Sequence, residues 1–229
     1  MEIIPGVHAI DVDMVYAYLY QEAERLTLVD SGLATASERI VQEIDAIGCR
    51  SADLRQIVAS HYHADHAGSL AELAERCGAS VLVHALDAPV VRGEAEEEPP
   101  VHSERESEFY ERITTDVPPL RRAQVDRELA DGDEIDLDGG AQVVHVPGHT
   151  AGSIAIYLPK RRLLFYGDAA ARMPEGRLIV GVFNADPALA RESFRKLAEL
   201  DFEVACFGHG KPLDRDASLA FRKEAERLG

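Results

Sequence analysis

Residues His61 to His66 read His-Tyr-His-Ala-Asp-His, so three imidazoles and one carboxylate fall within six positions. Neutral imidazole and carboxylate are ligands that suit zinc best, and iron, manganese and nickel accept the same set. Three more candidates stand alone: His149 in Pro147-Gly148-His149-Thr150, Asp168 in Tyr166-Gly167-Asp168, and His209 in Gly208-His209-Gly210. Seven nitrogen and oxygen donors suffice for two ions that share a carboxylate. That count points to a dinuclear hydrolytic centre rather than to one structural ion. In an extended segment, residues two apart project to the same side, so His61 and His63 reach one ion together. The turn beyond Ala64 lets Asp65 and His66 face a second. His149 would complete a three-histidine set with His61 and His63, His209 would join Asp65 and His66, and Asp168 has two oxygens with which to bridge. A lone histidine is more often a packed or surface residue than a ligand, and His8, His84, His102 and His145 are read that way.

Strands ending in tight loops must hold these ligands. Apolar or alternating runs predict strands over 7–10, 15–20, 26–29, 54–59 and 81–83, then over 134–137, 141–146, 153–158, 162–166 and 204–207. Helical periodicity predicts helices over 34–47, 69–77, 187–200 and 217–228, the first two stopped by Gly48 and Gly78. Each half of the chain thus carries strands, at least one helix and part of the ligand set, which places the site between the halves. Residues 87–122 interrupt the rhythm with Glu94, Glu96, Glu97, Glu98, Pro99-Pro100 and Pro118-Pro119. A long insertion without strands reads as a lid, part of it helical over 103–113, on a single domain spanning 1–229.

A net charge of −17 disfavours nucleic acid and anionic membrane surfaces as partners and leaves a small-molecule substrate. Cys49, Cys77 and Cys206 are too few and too scattered for a disulfide framework or a Cys-x-x-Cys metal knuckle. The N-terminus has no basic segment followed by an apolar run, and no stretch reaches the ~18 apolar residues of a membrane helix. A cytoplasmic protein is therefore expected.

The histidine-rich hexapeptide resembles the hallmark motif of the metallo-β-lactamase superfamily. Asp30-Ser31-Gly32 resembles its first motif, and the segments around His149, Asp168 and His209 resemble the later ones, in the family's order. The resemblance implies an α/β fold, a four-layer αββα sandwich. It implies His61, His63 and His149 at one metal, Asp65, His66 and His209 at the other, and Asp168 between them. Two divalent ions, zinc foremost with iron or manganese as alternatives, would activate water against a thioester, ester or lactone carbonyl. Asp65 would be the catalytic group that orients this water and carries its proton, and Asp30 would hold the ligand loops rather than an ion.

Departures narrow the branch. The β-lactamases commonly use a cysteine ligand and are exported, whereas Asp65 and His66 fill the motif here. Glyoxalase II enzymes usually add a C-terminal helical domain with basic glutathione contacts, and this chain ends soon after His209. The ribonuclease branch uses basic surface, and the lactonase branch fits the length. A mononuclear iron enzyme of the persulfide dioxygenase type is the alternative, with β-lactamase or phosphodiesterase activity behind it. Candidate substrate contacts are Arg172, Met173, Phe183 and Asn184 after Asp168, and Phe109 and Tyr110 from the lid.

Overall fold

The computed structural model describes residues 1–13, 15–23, 25–101 and 104–228, without the side chains of residues 104–106. His102, read above as an isolated histidine, and Ser103, expected to open a helix, lie outside the described residues.

Alternating apolar positions near the N-terminus fold into an antiparallel meander of β1 (Glu2–Ile4), β2 (Val7–Val12), β3 (Val15–Glu22) and β4 (Arg25–Val29). From β4 onward the neighbours run parallel, and parallel neighbours need crossovers. α1 (Ser37–Ala46) leads to β5 (Leu54–Val58), α2 (Ala64–Ala67) and α3 (Leu70–Cys77) to β6 (Ser80–His84), and α4 (Ala88–Arg92) and α5 (Glu104–Thr114) to β7 (Arg127–Leu129). The order in this sheet is sequential, β1 to β7. A second sheet takes β8 (Glu134–Ile135), β9 (Ala141–His145), β10 (Ile154–Leu158) and β11 (Leu163–Phe165). The hairpin β12 (Ala170–Arg172) with β13 (Leu178–Val180) stands apart, α6 (Pro187–Ala198) follows, β14 (Val204–Cys206) joins the second sheet beside β11, and α7 (Ala217–Arg227) ends the fold.

Strand alternation sorts the side chains into three cores, and three cores define four layers. Ala17, Leu19, Val81 and Val83 face the buried stripe of α1, Ile40, Val41 and Ile44, and that of α3, Leu70 and Leu73. Their neighbours Tyr18, Tyr20 and Leu82 point the other way, onto Val143, Ile154, Ile156, Leu163 and Phe165 of the second sheet. Val144, Ala155, Leu164 and Ala205 then face outward onto Phe194 and Leu197 of α6 and Phe221 of α7. This is the expected αββα sandwich. Among the described residues, no helix is long and apolar enough to cross a membrane.

The expected lid begins too early. Asp87, Ala88 and Val91 are fully buried, and Val91 packs in the core beneath α1 and α3, so α4 belongs to the body. Among the described residues, those of the insertion that line the cavity over the site come after Gly93, which ends α4 in the left-handed conformation (φ 71°). β1, β7, β12, β13, α2 and α4 were not expected. Each is three to five residues long, too short to show a period.

Candidate metal centre

The C-terminal ends of β4, β5, β9, β11 and β14 all open onto one edge of the sandwich, where ligands of α/β sheets gather. β4 delivers Asp30, β5 the hexapeptide, β9 His149, β11 Asp168 and β14 His209. Hydrogen bonds hold the loops of the two sheets together: Ile154 N donates to Ser60 O at 2.9 Å, Tyr16 N to Gly208 O at 2.9 Å, and Tyr18 Oη to Phe207 O at 2.6 Å. Two glycines permit the convergence. A Cβ at Gly208 would lie 2.5 Å from His66 Cε1 and 2.6 Å from Asp168 Oδ1. A Cβ at Gly148, whose φ is 125°, would collide with the Ala190 backbone at the start of α6.

All seven expected donors meet. Single atoms of His61, His63 and His149 lie within 4.8 Å of one another, as do those of Asp65, His66 and His209, and those of His61, His66 and Asp168 join the two groups. His63 Nδ1 is 2.9 Å from His149 Nε2. Asp168 sits between the groups, with Oδ1 3.2 Å from His66 Nε2 and Oδ2 3.2 Å from His209 Nε2 and 3.6 Å from His149 Nε2. Asp65 Oδ2 is 3.3 Å from His209 Nε2. Nε2 of His61 is buried without a hydrogen-bond partner, and Nε2 of His66 and Oδ1 of Asp168 are buried with only each other in reach, outside hydrogen-bond geometry. Buried polar atoms are rarely left so, and lone pairs of this kind aimed at common points are what divalent cations satisfy.

The charges agree. Burial, and then the neighbouring imidazoles, hold His61 well below the ordinary histidine range, and burial followed by His149 brings His63 to about 3. Burial also lowers His149, so all three imidazoles of the first group are neutral. In the second group burial is outweighed. Asp168, Asp65 and Asp30 raise His66 well above its usual value, and Asp168 and Asp65 raise His209 to about 10. Burial likewise opposes ionisation of Asp65 and Asp168, yet His66 and His209 hold Asp65 at about 2 and pull Asp168 well below the carboxylate range. Two carboxylates confined here require positive charge, and either protonated imidazoles or divalent cations supply it.

Behind the ligands, Asp30 takes three donors: Ser60 N at 2.7 Å, Ser60 Oγ at 2.9 Å and His66 Nδ1 at 2.9 Å. This sets the histidine tautomers. In its neutral form His66 would donate through Nδ1 and keep a lone pair on Nε2 for a cation. Ser60 spends its proton on Asp30, so its oxygen accepts from His61 Nδ1 at 3.0 Å and leaves His61 Nε2 bare as well. Ser60 was not singled out from the sequence, because a lone serine at a strand end carries no spacing signal.

Asp87 was also missed, since it stands at the expected start of the lid. Its Oδ2 accepts from Tyr62 N at 3.1 Å and Thr150 Oγ1 at 2.8 Å, and its Oδ1 from Gly152 N at 2.7 Å, so it joins the hexapeptide loop to the His149 loop. Burial raises its carboxyl to about 6 against these donors. A carboxyl raised in the folded state contributes stability that is fully present below its ordinary value near 4 and lost as pH rises through about 6. Asp87→Asn, which turns an N–H toward the donors, should cost about 1–3 kcal/mol. In denaturant titrations that cost should be larger at pH 4 than at pH 7, whereas a pH-independent cost would show that folding leaves the Asp87 carboxyl unshifted, and a smaller cost at pH 4 that it is held ionised.

The candidate substrate contacts divide. Tyr110, Phe109 and Phe183 line a cavity above the ligands. Arg172 does not: its guanidinium donates to Lys211 O and Pro212 O at 3.2 and 3.3 Å and braces the loop after His209. Asn184 turns inward, donating to Gly181 O at 2.6 Å, and faces a neighbouring groove instead. Met173 also lies outside the cavity lining. His84 and His145 are not isolated, since their rings stack at 4.2 Å and 10°. Cys206 packs between the sheets, away from the ligands.

The family model of the metallo-beta-lactamase superfamily matches residues 10–209. The chain belongs to the metallo-β-lactamase superfamily. Within it, the chain is 26% identical over 232 residues to "Probable metallo-hydrolase YflN" of Bacillus subtilis, covering 93% of this chain and 86% of that protein. It is 33% identical over 168 residues to a hydroxyacylglutathione hydrolase of Cereibacter sphaeroides, covering 72% of this chain but only 52% of that enzyme. This superfamily member therefore spans about half the length of those hydrolases. Among solved structures, a Cronobacter sakazakii metallo-beta-lactamase with a HARLDQ motif superposes with a TM-score of 0.76 at 23% identity, covering 100% of this chain and 91% of that one. A metallo-beta-lactamase family protein from Thermus thermophilus gives 0.73 at 22%, covering 99% and 80%. At such identities the likeness is one of fold.

Proposed function

We propose that this metallo-hydrolase holds two divalent cations, zinc foremost, and cleaves a small-molecule thioester, ester or lactone. His61, His63 and His149 serve one cation, Asp65, His66 and His209 the other, and Asp168 both. The observation that carries the reading is the count and placement of donors: seven inward-facing nitrogen and oxygen ligands in two linked groups exceed what one ion uses. When bound, such cations lower the pKa of water toward about 7 and polarise a carbonyl oxygen.

The protein's own part is orientation and proton handling. Asp65 lies on the cavity floor beside Asp168 and His209, in place to accept a proton from the attacking water and return it to the leaving group. Asp30 and Ser60 fix which nitrogens of His61 and His66 face inward. We further propose that residues from Gly93 to Arg122 act as the lid of a single domain. Three unpaired cysteines suit a reducing cytoplasm as the working compartment.

The reading is tested by counting metals and screening thioesters, lactones, phosphodiesters and a β-lactam before and after chelation. About two zinc ions per chain are expected, with carbonyl-ester turnover lost on chelation and restored by zinc. One iron per chain with oxygen consumption on a persulfide, or turnover confined to the phosphodiester or the β-lactam, would overturn it.

A further inference from the structure

The ligand groups form the floor of a cavity of about 440 Å³, whose walls are mostly apolar. Phe109, Tyr110 and Ile113 of α5 descend from above, Val117 and Leu120 close one side, and Phe183 closes the other. No lysine or arginine lines it among the described residues, and Glu97 is the one charged side chain besides the floor ligands. At the ~30 Å³ that a water-sized group occupies in a liquid, this volume takes on the order of fifteen non-hydrogen atoms.

The roof is fastened to the body at several points. Glu98 N donates to Tyr62 Oη at 3.1 Å, beside the ligand histidines, and Val101 N donates to Asn184 O at 2.8 Å. Phe183 meets Phe109 at 5.8 Å and Tyr110 at 5.0 Å between ring centroids. It does so at φ 56°, a conformation costly for a bulky side chain and held only where the surroundings enforce it. That enforcement is visible: Ala185 N donates to His149 O at 3.2 Å and Asp186 N to Gly148 O at 2.8 Å, tying the Phe183 loop to a ligand loop. The strained aromatic thus completes the apolar wall directly above the floor.

We propose that this cavity selects carbonyl substrates with an uncharged, medium-length acyl chain and rejects acyl groups carried on anionic thiols such as glutathione. The acyl chain lies beneath α5 with its carbonyl at the floor, and along the walls a glutathionyl carboxylate would meet Glu97 and, among the described residues, no lysine or arginine. The inference rests on the hydrolase reading above. In the reaction one water adds across the acyl C–O or C–S bond. Its oxygen goes to the acyl carbon and its proton to the departing alcohol or thiol.

Two measurements on the metal-loaded protein separate this inference from the reading beneath it. The first is kcat/KM for p-nitrophenyl esters from acetyl to decanoyl, and for lactoylglutathione. It should rise up to about fourfold per methylene until the cavity is full, and lactoylglutathione should be slower than the octanoyl ester by roughly a hundredfold or more. The second is calorimetric affinity for straight-chain primary amides of four to ten carbons, which needs no turnover and should show the same trend. Ile113→Lys should flatten both trends and narrow the gap to lactoylglutathione. Length-independent ester rates with length-independent amide binding would overturn the inference while leaving the hydrolase reading intact. A preference for lactoylglutathione over the octanoyl ester would overturn it too. Length-dependent amide binding without hydrolysis of any carbonyl compound would support the apolar cavity and sink the hydrolase reading.

Discussion

Asp168→Ala should cut kcat/KM by a hundredfold to a thousandfold or more and leave at most one tightly held metal per chain, as counted by mass spectrometry against initial rates. Losses of that size follow when a single charge-stabilising group leaves a reacting centre. Asp168 does more than one group's work. Its Oδ1 faces His66 at 3.2 Å while its Oδ2 faces His209 at 3.2 Å and His149 at 3.6 Å, so it touches both donor groups. Without it, the group of Asp65, His66 and His209 keeps a single carboxylate to offset the positive charge of an ion. Full activity with both metals retained would refute the shared role.

Asp30→Ala should be the most damaging substitution for stability. Asp30 is 2% exposed and accepts from Ser60 N, Ser60 Oγ and His66 Nδ1. Alanine leaves buried donors unsatisfied at about 1–3 kcal/mol each. It must also adopt φ 59°, which aspartate and asparagine tolerate better than alanine does. A combined loss of roughly 3–6 kcal/mol approaches the whole stability of an ordinary domain. Asp30→Asn keeps the backbone preference and one acceptor oxygen, so it should fold and instead lose about tenfold to a hundredfold in metal affinity. Denaturant midpoints and metal titrations on the two variants check both statements. An Asp30→Ala protein with native stability would show that the loop holds itself without this carboxylate.

Residue types and their spacing already carry the chemistry and the layers. The convergence of the seven candidate donors was legible because coordination is demanding in residue type: four donors in six positions, followed by three histidine or aspartate residues beside glycine, have few structural uses. The periods of α1 and α3 and the alternation in β9 to β11 were legible because burial on one side imposes them on every residue. What has no period and no compulsory residue type was left to the folded chain. Three-residue strands such as β7, β12 and β13 exist because a neighbour supplies their hydrogen bonds, so the residues themselves need show no pattern. Arg172 is close in sequence to Asp168, as a substrate contact would be, yet its Nη1 donates to the carbonyls of residues 211 and 212 instead. Ser60 and Asp87 matter through partners as many as 65 positions away in the chain, and the apolar roof acquires meaning only once α5 is laid above the ligands. Local pattern records what each residue needs from burial or from a metal. Which residues meet is settled by how the two sheets close on one another.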